Sequence, residues 1–135
     1  MKNENLLDLS LFILRAIIGV IFIFHGAQKL FGMFDGIGLA GTEKMVEGMG
    51  LAYPHILAAA WASIEFVGGI FLMLGVMARW AAAAIVFTVL IHLWKVNLMY
   101  GFFIQNGGIE YHLLIIGACV PIILLGSGSW SLWDV

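Results

Sequence analysis

Eight ionisable side chains stand inside stretches that are otherwise apolar: Arg15, His25, Lys29, Glu65, His92, Lys95, Glu110 and His112. Such groups are costly within hydrocarbon, so they face a bundle interior and pair there, or serve chemistry. Histidine titrates near neutral pH and can give or take a proton. Lysine donates hydrogen bonds, and a carboxylate relays protons. Together they suit a polar ligand whose protonation changes. His25 and Lys29 stand four apart in "FHGAQKLFG", residues 24–32, and so share one helix face.

The elements that must position these groups follow from composition. The chain has 135 residues, of which 63% are hydrophobic and 10% charged. Ordinary soluble domains run at roughly half and a quarter. An integral membrane protein of one domain, residues 1–135, is the reading that accommodates so much apolar surface. The net charge of −2 is spread thinly, with no basic patch for nucleic acid. A single cysteine, Cys119, precludes an internal disulfide, a CxxC redox pair and a cysteine-based metal centre within one chain. It reads as an inert buried residue. No metal is predicted. The first apolar run is too long for a cleaved signal and lacks a small-x-small site near its end.

Four stretches are apolar enough to cross a bilayer, which takes about 20 residues: about 6–31, 54–77, 79–98 and 109–125. Pro54 suits a first helical turn, and Pro121 should kink the fourth span or end its regular hydrogen bonding. The expected fold is all-α, a transmembrane four-helix bundle with both termini on one side. In the one long loop, "GTEKMVEGMG" (41–50) predicts a short interfacial helix capped by Thr42, with Met45, Val46 and Met49 on its apolar side. Aromatic belts fit this map, with Trp80, Trp130 and Trp133 on the terminal side and Tyr53, Trp94, Tyr100 and Tyr111 on the other. Lysines and arginines fall on both sides and fix no orientation.

Depth along the spans groups the polar residues. At ~1.5 Å per residue, Arg15 lies ~13 Å and Glu65 ~18 Å from the terminal side, which predicts an Arg15–Glu65 ion pair. His92, Lys95, Glu110 and His112 fall at ~20 to 24 Å and His25 at ~28 Å, one layer near the opposite surface. Glu110 and His112 are two apart and cannot both point inward; Glu110 is the expected inward one. Gly19, Gly26, Gly68 and Gly69 would let helices pack closely.

"LRAIIGVIFIFHGAQKLFG", "GMGL", "IEFVGGIFLMLGVMARWAA" and "GFFIQNGGIEYHLL" resemble the DoxX family of small four-helix membrane proteins over nearly the whole chain. The resemblance implies a redox role: members are similar to the membrane subunit of a thiosulfate:quinone oxidoreductase or are associated with quinones, catechols and thiol oxidants. Matching positions are Arg15, His25, Gly26, Lys29, Glu65, Gly68, Gly69, Gly107, Gly108, Glu110 and Tyr111. The resemblance assigns none of them a catalytic role.

The leading expectation is a quinone-linked oxidoreductase, acting alone or as the membrane subunit of a redox complex. Its polar pocket would lie near the surface opposite the termini. His25, Glu110 and His92 would exchange protons. Lys29, Lys95, Phe22, Trp94 and Tyr111 would bind the substrate, with Trp61 as a further wall. Quinone is the expected ligand. The expected partners are the lipid bilayer, soluble or membrane redox subunits and further copies of the chain. The expected location is a bacterial or archaeal cytoplasmic (inner) membrane. Three other readings stay open: a non-catalytic anchor or assembly subunit, a small proton-coupled transporter using Glu65, and haem ligation by His25 with His92 or His112.

Overall fold

A computed structural model describes residues 2–134. Helix α1 (Lys2–Phe31) is followed by the short α2 (Gly38–Gly48), then α3 (Pro54–Leu74), α4 (Ala78–His92) and α5 (Glu110–Leu125). The helix of α4 does not stop at His92. It continues through a π-helical turn, Leu93–Asn97, and a 3-10 turn, Leu98–Tyr100. A second 3-10 turn, Ile104–Asn106, lies in the loop before α5.

Among the described residues, three helices are long and apolar enough to cross a membrane: Lys2–Phe31, Pro54–Leu74 and the continuous Ala78–Tyr100. The shorter α5 has 16 residues, ~24 Å of helix against ~30 Å of hydrocarbon. It passes through Pro121 and stays helical to Leu125, so the proline does not end it. The expected boundaries are otherwise close. Pro54 opens α3 as anticipated, and Gly75 in the left-handed conformation closes it.

The four long helices form one bundle in which α1 packs on α3, α3 on α4, α4 on α5 and α5 back on α1. Leu11, Ile18 and Phe22 of α1, Leu72 of α3, Ile85 and Val89 of α4, and Ile115, Cys119 and Ile122 of α5 make the shared core. The closest crossing is α1 against α3. A methyl placed on Gly19 would lie 2.7 Å from the Gly69 carbonyl oxygen. Only a missing Cβ permits that approach.

Helix α2 starts at Gly38, three residues earlier than expected, so Thr42 lies inside it rather than at its cap. The Thr42 hydroxyl donates back to Gly38 O at 2.7 Å and reaches Lys29 O at 3.3 Å. The apolar side is as expected: Met45, Val46 and Met49 pack with Ala58 and Trp61 of α3.

The segment after α5 folds over the end of the bundle where α1 begins. The Leu132 and Trp133 amides donate to Leu74 O and Gly75 O, and the Met77 amide donates to Trp133 O. The Ser129 amide donates to Asp8 Oδ1 at 2.9 Å. Arg15 lies beneath this strap, fully buried. It donates from Nη1 to Leu72 O at 3.2 Å and from Nη2 to Trp130 O at 2.5 Å.

The expected Arg15–Glu65 pair is therefore not formed. Gly19 and Gly69 set α1 and α3 at one level, with Arg15 four residues from that level toward the termini and Glu65 four residues the other way. At 1.5 Å per residue their levels differ by about 12 Å. Depth counted from assumed span ends brought together two residues that antiparallel packing keeps apart.

Candidate functional site

At the end of the bundle away from the strap, the helices do not close fully. Phe22, His25 and Lys29 of α1, Glu65 of α3, Thr88, Val89 and His92 of α4, and Tyr111 and His112 of α5 line a cavity of about 250 Å³. Drug-sized pockets run from roughly 300 to 1,000 Å³, so this one suits a single substituted ring.

One wall carries charge. Lys29 Nζ lies 2.6 Å from Glu65 Oε2, and Trp61 Nε1 donates to Glu65 Oε1 at 2.9 Å. Both carboxylate oxygens are thus engaged, and Glu65 is only 5% exposed. Phe22, His25 and Lys29 reach the same cavity because spacings of three and four on α1 keep them on one face. Trp61 meets His92 edge-on at 6.3 Å between centroids and acts mainly as the donor that holds Glu65.

The opposite wall is a pair of imidazoles. His92 and His112 stack with centroids 5.3 Å apart and planes 8° from parallel. His92 Nδ1 lies 2.7 Å from Asn97 Oδ1, and Asn97 Nδ2 donates to Gly107 O at 2.7 Å. The π-helical turn makes this contact. On an α-helix, residues five apart point about 140° away from each other. The wider π turn, with its i→i+5 repeat, brings them onto one side. Asn97 is 8% exposed and was missed in the sequence because α-helical spacing turns it away from His92.

Two expectations on this helix are displaced, Lys95 by the widened turn and Trp94 because residues two apart on a helix point about 160° from each other. Lys95 and Trp94 do not line the cavity. Trp94 is 66% exposed, and Lys95 Nζ sits 4.3 Å from the centroid of its ring, a cation–π contact on the outside. The inward choice on α5 is also reversed: Glu110 leaves the cavity and His112 enters it. Glu110 Oε2 accepts from the Ile104 amide at 3.0 Å, fastening the 3-10 turn of the preceding loop. Helix α5 begins only at Glu110, so its carboxylate is used at the helix start, while Tyr111 and His112 face the bundle.

Two buried polar atoms at the cavity have no protein partner: the Tyr111 hydroxyl and His112 Nδ1. Buried polar groups are nearly always satisfied, so each such exception calls for an explanation. His25 completes the ring of aromatic edges, 6.1 Å from Tyr111 and 6.2 Å from Phe22 between centroids. Thr88 spends its hydroxyl on Ile85 O at 2.8 Å and contributes its methyl side to the lining.

Fold and site together define a small helical membrane protein that encloses a histidine- and tyrosine-lined cavity at one end of its bundle. The chain belongs to the DoxX family, whose model matches residues 10–98. It is 28% identical over 120 residues to a Bacillus subtilis (strain 168) protein named "Putative oxidoreductase CatD", covering 89% of this chain and 81% of that one. No solved structure matches it. The family match takes in the cavity residues of α1, α3 and α4, whereas Tyr111 and His112 lie beyond it.

Proposed function

We propose that this protein is a quinone-linked membrane oxidoreductase, or the membrane subunit of one, and that the cavity between α1, α3, α4 and α5 binds the ring. The observation that carries this reading is a ring-sized cavity lined by three histidines with the Tyr111 hydroxyl left unpartnered. Interconversion of a quinone and its quinol moves two electrons and two protons. Histidine and tyrosine at the wall can bond the ring oxygens and exchange the protons. The single cysteine leaves dithiol chemistry out of this chain, so the electrons pass to or from a bound cofactor, a redox partner, soluble or membrane-bound, or a second substrate.

In this reading α5 crosses the membrane with the other three long helices, and the chain sits in a bacterial or archaeal inner membrane. The name of the B. subtilis relative agrees with redox chemistry and says nothing of a substrate. The open cavity supports a ligand-binding role over that of an anchor without one.

The test is ligand-dependent stabilisation of the purified protein in lipid nanodiscs. Short-chain quinone, its quinol and catechol are added separately while thermal unfolding is followed. A concentration-dependent rise in Tm with at least one of them, lost in His92→Ala, is expected. The absence of any shift with all three overturns the proposal.

A further inference from the structure

We propose that Asn97 fixes the tautomer of His92, so that the cavity favours a ring bearing a free hydroxyl, whose proton His92 Nε2 accepts. This rests on the ring-binding reading above and names the form of ring that the site prefers.

The argument starts at a backbone carbonyl. Gly107 O can only accept, so the Asn97 side-chain atom 2.7 Å from it is Nδ2. That orientation turns Asn97 Oδ1, also only an acceptor, toward His92 Nδ1 at 2.7 Å. His92 Nδ1 must therefore carry the proton. A neutral imidazole has one N–H, which makes Nε2 a bare lone pair on a side chain that lines the cavity. His112 Nε2 lies 3.3 Å from His92 Nδ1, whose one proton is already directed at Asn97 Oδ1, so His112 is left free to take either tautomer. Its buried Nδ1 has no protein partner.

The cavity thus presents one fixed acceptor. His92 Nε2 accepts, while His25, His112 and the Tyr111 hydroxyl can each donate or accept, and Lys29 keeps N–H groups beyond the one given to Glu65. A fully oxidised quinone carries only acceptors and leaves His92 Nε2 unmatched. A ring with at least one hydroxyl satisfies it and still offers oxygen lone pairs to the donors around it. Asn97 is a positioning residue here, acting through His92.

The test uses full-length protein labelled with 15N-histidine in nanodiscs, with the His92 signals assigned by their loss in His92→Gln. Wild type should show protonated Nδ1 and unprotonated Nε2. Asn97→Asp, which keeps an acceptor for Nδ1–H, should retain that state, whereas Asn97→Ala should move His92 toward the Nε2–H form. A wild-type His92 protonated on Nε2, or equal loss in both variants, overturns the inference. Binding supplies the second arm, with hydroquinone and 1,4-dimethoxybenzene as probes. Hydroquinone should bind at least about tenfold tighter, the value of one good hydrogen bond, and Asn97→Ala should erase most of that preference. Equal binding overturns the inference alone. No binding of either probe, nor of benzoquinone, overturns the ligand assignment together with the ring-binding reading.

Discussion

Lys29 and Glu65 form an ion pair at 2.6 Å across α1 and α3, and the pair also makes one wall of the cavity. Removing one partner of a buried pair strands the other, at roughly 3–5 kcal/mol. Lys29→Met should therefore destabilise the protein by about that amount, and the double variant Lys29→Met/Glu65→Gln should regain more than half. The amide introduced by Glu65→Gln keeps an oxygen that accepts from the Trp61 indole. Thermal unfolding in nanodiscs reads both, and a double variant no better than the single one would show that the charges do not depend on each other.

The seam between α1 and α3 makes a prediction with its own control. A methyl on Gly26 would fall on the Phe66 backbone, within 2.6 Å of Phe66 Cβ, whereas a methyl on Gly117 meets nothing within 4 Å. Alanine is the better helix former by about 1 kcal/mol. Gly117→Ala should raise Tm slightly. Gly26→Ala should lower it, because overpacking costs roughly 1–3 kcal/mol and exceeds that gain. Equal gains at both positions would mean that the helices are not in contact at this level.

Arg15 holds the strap rather than Glu65. Arg15→Ala leaves the Trp130 carbonyl without its donor, while Leu72 O keeps the Gly75 amide, a loss of about 1–3 kcal/mol. It should increase protease access to residues 126–134 and shift the fluorescence of Trp130 and Trp133. Arg15→Ala and Glu65→Ala should be additive within about 0.5 kcal/mol, because the two sites share no partner. Strong coupling between them would restore the ion pair that the sequence suggested.

Tyr111→Phe separates stability from binding. Deleting a buried hydroxyl that has no partner removes a desolvation cost, so the variant should be as stable as wild type or more so, by up to about 1 kcal/mol. Ring affinity should fall at the same time by about tenfold in a direct titration. A group kept for packing would show the opposite signs.

The strap should respond to acid. The Ser127 hydroxyl faces the Asp134 carboxylate without closing a bond of good geometry, and the Ser127 amide donates to Oδ1 at 3.2 Å. These groups, with Arg79 and Arg15 nearby, hold the Asp134 carboxyl below its ordinary range despite slight burial. A lowered folded-state pKa means stabilisation that is present above the unfolded carboxyl range, about pH 4, and lost as pH falls through the folded value below it. Protease access to the strap should rise over that acid interval in wild type. Asp134→Asn should lose the dependence. A wild-type strap indifferent to pH there would remove Asp134 from its attachment.

The helical bundle was legible because apolar length and glycine placement are one-dimensional signals. Phe22, His25 and Lys29 were legible as a stripe because α1 is regular. Three readings failed where geometry departs from a straight α-helix or depends on another chain segment. The Arg15 pairing required knowing that residues 126–134 return over α1 and supply carbonyls. The choice of Glu110 over His112 turned on where α5 starts. Lys95 and Asn97 were misjudged for one reason, that Leu93–Asn97 is π-helical and no residue type announces it, whereas Trp94, two residues after His92, faces away from it on a straight α-helix as well. Asparagine five residues after a histidine carries no signal until the turn is widened.

That widened turn has a consequence for how this chain can change in length. A π-helical turn holds one residue more than an α-helical one, so Leu93–Asn97 behaves as an accommodated insertion. The wider turn absorbs the extra residue, so the segments on both sides of it keep their facing. Loss of one residue between 93 and 96 would leave an ordinary α-helix with the asparagine four places after His92, about 40° round the helix, so its bond to the imidazole and its hold on the Gly107 carbonyl would both be kept. The tip of this helix thus tolerates the shorter length and not an intermediate number of residues per turn.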